Sequence, residues 1–105
     1  MASLLQNGSS AFYLSTRGGR TVIDNYAAIR VGKALAESLV RYLAVELAPK
    51  GVRINCISPG IVETEPVRVI FGEGARQLVA RSSANNPSVR GVESRDCTEL
   101  MRFLA

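Results

Sequence analysis

Hydrophobic positions dominate Tyr26 to Leu47, where leucine, alanine and valine recur around the whole circumference of a helix and not along a single stripe. That pattern predicts a long helix with both broad faces buried. Pro49, Lys50 and Gly51 stop it, and Gly51 suits the left-handed residue that closes a helix. Val52–Ser58 (VRINCIS) is a short β-rich run, ended abruptly by Pro59-Gly60. A helix feeding directly into a buried strand is half of a parallel βαβ unit. Upstream, Met1–Gln6 reads as the tail of a helix and Asn7–Ser10 (NGSS) as a turn. Ala11–Ser15 (AFYLS) reads as a buried strand, and Arg17–Asn25 as a loop in which Asp24 or Asn25 caps the long helix. Downstream, Ala75–Ser83 predicts a short helix broken at Asn85-Asn86-Pro87. Val92–Ala105 predicts an amphipathic helix capped by Ser94, with Cys97, Leu100, Met101 and Leu104 near one face.

Composition narrows the classes. With 105 residues, 47% of them apolar, the chain is one small unit with material for a core. No apolar run approaches the roughly 18 residues of a membrane span, so no membrane association is expected. The net charge of +4 comes from scattered side chains without a nucleic-acid-binding motif, so no nucleic-acid partner is expected. Cys56 in the second strand and Cys97 in the last helix read as buried, reduced thiols of a cytoplasmic protein. Histidine is absent, which removes the usual neutral-pH base and the commonest metal ligand; no metal site is expected.

Acid–base chemistry therefore falls to tyrosine, lysine or a carboxylate. Tyr26 opens the long helix and Lys33 comes seven residues later. Seven steps of about 100° return to within roughly 20° of the start, two turns along the same face. An ammonium about 4 Å from a phenol, at an effective dielectric near 20, attracts the phenolate by on the order of 4 kcal/mol. An interaction of that size moves a phenol from about 10 towards neutrality, where it can hand a proton to an oxygen. Taken alone, the pair is a weak signal, since an aromatic helix start with a solvated lysine beyond it looks the same.

The surrounding residues change that weighing. YAAIRVGKALAESLVRYLAVELAPKGVRINCISPGIVET resembles the short-chain dehydrogenase/reductase family across its active-site tyrosine, lysine helix and following strand. Six residues separate Tyr26 from Lys33, against three in most of the family, and this spacing resembles the branch that includes enoyl-acyl-carrier-protein reductases. GKALAES matches the run that comes after the family's lysine, which favours Lys33 over Arg30. The resemblance implies an α/β fold, the C-terminal half of a Rossmann-like doubly wound parallel sheet, as one partial domain over residues 1–105. It implies Ser15, at the carboxyl end of the first strand, as the active-site serine, with Tyr26 as proton donor and Lys33 holding the nicotinamide ribose. It implies NAD or NADP as cofactor, with Pro59, Gly60, Val62 and Thr64 in the loop around the nicotinamide. Glu65–Glu73 would be a mobile segment over a small-molecule or acyl-thioester substrate, with Val67, Val69, Ile70 and Phe71 towards an acyl chain and Gly72 and Gly74 as hinges. NNPSVRGVESRDCTELMRFLA resembles the family's penultimate helix, and members associate through the long helix, which implies a homo-oligomer through residues 26–47.

Departures from the family pattern set a second expectation. No G-x-G-x-x-G stands after a strand here, so the half that binds the adenosine end of the cofactor is expected to be missing. Thr16 to Val22 lacks the second aromatic of the enoyl branch, and ISPGIVET looks more like the carbonyl reducers, which leaves C=C and C=O reduction both open. Arg30 places a bulky cation on the Tyr26 face, either a mark against activity or a partner for phosphate or carboxylate. The alternative to an oxidoreductase is a catalytically inactive fragment of one, acting as a self-association module.

Overall fold

The computed structural model describes residues 4–16, 27–62 and 64–105. The described residues form two strands and four helices: β1 Ser10–Leu14, α1 Ala27–Leu47, β2 Arg53–Ile57, α2 Glu65–Phe71, α3 Gly74–Ala84 and α4 Ser94–Leu104. They divide into two compact units, one of Met1–Ser58 with Met101–Ala105, the other of Pro59–Leu100.

In the first unit β1 and β2 pair in parallel, with Ser10 opposite Arg53 and Leu14 opposite Ile57. α1 makes the crossover between them and packs on β2. Parallel neighbours cannot be joined by a tight hairpin, which is why the chain spends a long helix between them. The helix stops as its sequence requires. Ala48–Lys50 tightens into a 3-10 turn, and Gly51 adopts φ 70°, ψ 21° with its N–H donating to Ala48 O. The chain then enters β2 at Val52, the most deeply buried large side chain of this unit, joined in the core by Ile57. Burying a valine stabilises the fold by about 1.5–3 kcal/mol. Across the turn, Gly8 donates its N–H to Gly51 O at 2.9 Å, tying the entry of β1 to the entry of β2. Arg53 donates to the carbonyls of Leu104 and Ala105, each at 2.7 Å, placing a cation at the negative end of α4.

Burial corrects three expectations. α1 is not covered on both faces: Val31, Leu35, Leu39, Tyr42 and Val45 are exposed, and Arg30 is its one buried residue. Among the described residues a single two-stranded layer lies against the helix, so one face is packed and the opposite apolar stripe is not. The strands are likewise half-buried and not enclosed; Leu14 is exposed. Cys56 is exposed and Cys97 half-buried, so neither thiol is the core residue expected; alternate residues of β2 face opposite sides, and one side is uncovered.

In the second unit the Glu65–Glu73 segment contains the two-turn helix α2, Glu65–Phe71. Pro66 sits in its first turn, where a missing N–H is harmless, and Gly72, at φ 57°, ends it. α2 packs on α3, which runs to Ala84 before Asn85-Asn86-Pro87. Ser94 is the expected cap of α4, but it is already helical. The capping bond comes instead from Asp96, whose carboxylate accepts the Glu93 N–H at 2.9 Å. Arg90 holds that carboxylate with two parallel bonds of 2.8 and 2.9 Å.

These contacts, the Arg90 bonds first and the Glu93 N–H second, depress the Asp96 pKa well below the ordinary carboxylate range. A depressed folded-state pKa contributes stability that is present above about pH 4, the unfolded carboxylate value, and lost as pH falls through the folded value. Asp96→Asn is therefore expected to destabilise the first turn of α4 at pH 7 and to match the unsubstituted chain in strong acid. Amide exchange at Ser94–Cys97 across a pH series checks this, and a gap that does not narrow in acid contradicts it.

Candidate active site

Ser15 comes directly after β1 and extends its ladder by one bond, donating its N–H to Ile57 O at 2.8 Å. It is 2% exposed, and its hydroxyl donates to a carboxylate oxygen of Glu37 on α1. Lys33 lies one turn earlier on the same face of α1, because residues four apart are neighbours on a helix. Its ammonium donates to Leu14 O at 2.8 Å and stands 4.9 Å from the centre of the Tyr13 ring. The helix lysine, the strand serine and their two supports thus converge on the carboxyl end of β1. In open parallel sheets this is the end where ligands bind.

Glu37 and Tyr13 contact the candidate site residues Ser15 and Lys33, and neither is among the residues expected from the sequence. The Lys33–Glu37 spacing of four is a legible signal for the first, since it places both on one helix face. Nothing local marks Tyr13, which meets Lys33 only through the packing of α1 on the strands. A cation over a phenol face is held by about 0.5–1 kcal/mol where exposed and more when desolvated. Arg30, 6% exposed, is an internal cation of α1.

Tyr26 lies outside the described residues, as do Asp24 and Asn25, the expected caps. The remaining expected site residues belong to the second unit. Pro59, Gly60 and Val62 are half-buried on the segment that leaves β2. A Cβ added at Gly60 would stand 3.0 Å from Val92 Cγ2, so one close approach at this glycine is made by the chain's own valine. Thr64 is exposed and extended at the N-cap of α2; its carbonyl accepts the Arg68 N–H at 3.0 Å, while its hydroxyl takes no part in the cap. Among the described residues no cluster of three His, Cys, Asp or Glu could hold a metal, and no helix is long and apolar enough to cross a membrane.

A parallel strand pair, a helical crossover and donors gathered at the carboxyl end of a strand define an α/β chain of the Rossmann-like class. The family model described as enoyl-(acyl carrier protein) reductase matches residues 1–105, and the chain belongs to that family. It is 35% identical over 105 residues to the NADH-dependent enoyl-acyl-carrier-protein reductase FabI of Escherichia coli, a match that takes in 97% of this chain and 38% of the relative. The solved FabI of Candidatus Liberibacter asiaticus superposes with a TM-score of 0.86 at 31% identity, covering 98% of this chain and 39% of that one. The Bacillus cereus enoyl-acyl carrier protein reductase, solved with NADP+ and an indole naphthyridinone, gives a TM-score of 0.84 at 28% identity, covering 91% and 37%. The chain spans somewhat over a third of the length of these proteins.

Proposed function

We propose that this chain is the proton-delivering section of a nicotinamide-dependent reductase of the short-chain dehydrogenase/reductase type, acting on an enoyl thioester or a carbonyl. The carrying observation is the meeting of Lys33 and Ser15 at the carboxyl end of β1. The donor set suits the group implied: an ammonium held by one carbonyl and one ring keeps further N–H bonds for ribose hydroxyls. Bound NAD or NADP would supply the hydride. Lys33 would bind the nicotinamide ribose and favour the ionised form of Tyr26; Tyr26 would deliver the proton, and Ser15 would order the oxygen end of the site. Pro59, Gly60, Val62 and Thr64 would flank the nicotinamide, with the Val62 backbone and the Thr64 hydroxyl as carboxamide partners. Enoyl reduction is favoured over carbonyl reduction by the matched family and by the relatives named for it.

A second reading rests on the exposed apolar stripe of α1. Val31, Leu35, Leu39, Tyr42 and Val45 form a surface suited to self-association through the 26–47 helix, whether or not the chain turns over. Two unpaired thiols fit a reducing, cytoplasmic setting.

Two proteins compared side by side test the activity. The chain alone is expected to show no reduction of crotonyl thioester or of a carbonyl substrate with NADH or NADPH. A chimera in which it replaces the matched segment, 38% of the Escherichia coli relative, is expected to turn over. A folded chimera that binds NADH and reduces neither substrate overturns the proposal, and turnover by the chain alone overturns its description as a dependent section.

A further inference from the structure

We propose that Glu37 is a positioning residue: it accepts the hydrogen bond of the Ser15 hydroxyl, so that Ser15 meets any group at the carboxyl end of β1 as a hydrogen-bond acceptor and not as a donor. The inference deepens the reading of Ser15 as a site residue and rests on it.

A serine hydroxyl has one proton and two lone pairs, and its orientation is set by the strongest acceptor it can reach. Ser15 has little freedom in that choice. It is 2% exposed, its backbone is fixed by the bond from its N–H to Ile57 O, and its hydroxyl donates to Glu37. A carboxylate is an acceptor only, and charge-assisted bonds are about twice as strong as neutral ones. Away from bulk water such a bond strengthens further, so a substrate carbonyl competing for the same proton is at a disadvantage.

The register of α1 on β1 makes the arrangement specific. Lys33 and Glu37, one turn apart, reach consecutive strand residues, and the two bonds have opposite polarity. The helix donates to the strand at Leu14 O, and the strand donates to the helix at Glu37. The lysine is thereby held by an acceptor, and the serine is left with acceptor capacity alone. The chemical partner that fits such a serine is an O–H donor such as a phenol. Ser15 would orient the proton donor of the reaction, and contact with the substrate oxygen would pass to that donor.

Proton NMR of the chain at low temperature tests the assignment. One slowly exchanging hydroxyl resonance is expected, with cross-peaks to the Glu37 side chain, and it should vanish in Ser15→Ala. In Glu37→Gln, which keeps the shape but loses the charge, its exchange should quicken about tenfold, because a neutral amide acceptor holds the proton less tightly. Glu37→Ala should abolish it, and the amide fingerprints of all variants report that the fold is retained. A Ser15 hydroxyl with no protection, with cross-peaks elsewhere, or with unchanged exchange in Glu37→Gln overturns the proposal. The measurement needs neither cofactor nor turnover, so an inactive chimera and an unprotected Ser15 hydroxyl are separate failures of separate claims.

Discussion

Tyr26→Phe is expected to lower the turnover of the chimera by about 10²–10⁴-fold, the usual contribution of a positioned proton donor. That range corresponds to about 3–5 kcal/mol of barrier. The substitution removes one oxygen and keeps the ring, so packing is nearly unchanged and the Michaelis constant should move little. Loss confined to kcat is the signature of an interaction made in the transition state, whereas a rise in KM alone would mark a binding role. Lys33 gives the comparison: its ammonium lies at β1, held by Leu14 O and Tyr13, so Lys33→Met should affect cofactor binding as well as kcat. A Tyr26→Phe chimera that retains a tenth or more of wild-type turnover ends the assignment of Tyr26 as the donor.

The second large effect is on the fold. Gly51→Val is expected to destabilise the chain by about 2–4 kcal/mol, because a β-branched residue is strongly disfavoured in the left-handed region and a new side chain needs room. Both costs apply here. Gly51 has φ 70°, and a Cβ on it would stand 2.0 Å from Asn7 Oδ1 and 2.8 Å from Asn7 Cγ. The clash is with a movable side chain, so the backbone term should dominate. Gly51→Ala alone and in combination with Asn7→Ala separates them: the double variant relieves the clash and keeps the left-handed penalty. For a domain of this size about 1 kcal/mol moves the melting midpoint by roughly 4–8 °C, so the valine variant should melt well below the parent. An unchanged midpoint would mean that this turn does not hold α1 to β2.

Expectation and structure agree where the controlling forces are local. The end of α1 is legible because glycine after a proline-containing turn has few other uses, and Gly51 adopts the left-handed conformation. The edges of β1 and β2 differ from expectation by one residue at each end, as element ends commonly do. The parallel pairing is foreshadowed by a long helix running into a short strand. Burial is overstated by the sequence for a different reason. An apolar circumference on α1 states that the helix can be covered on all sides, and says nothing of what covers it. Val31, Leu35 and Tyr42 are exposed because the described residues provide one layer against the helix. The cap of α4 is misplaced because Ser94 is the better intrinsic cap, whereas Arg90 fixes Asp96 in position to take the Glu93 N–H.

By itself the amino-acid order determined β1, β2, α1, α3 and α4 and where α1 must stop, whereas α2 was not among the expected helices. Backbone geometry and side-chain periodicity decide those matters within a few residues. Only the tertiary structure decided that Ser15 donates to Glu37, 22 residues away, and that Lys33 reaches back 19 residues to Leu14 O and rests on Tyr13. Those contacts depend on the register of α1 against β1, which packing sets and no local pattern encodes.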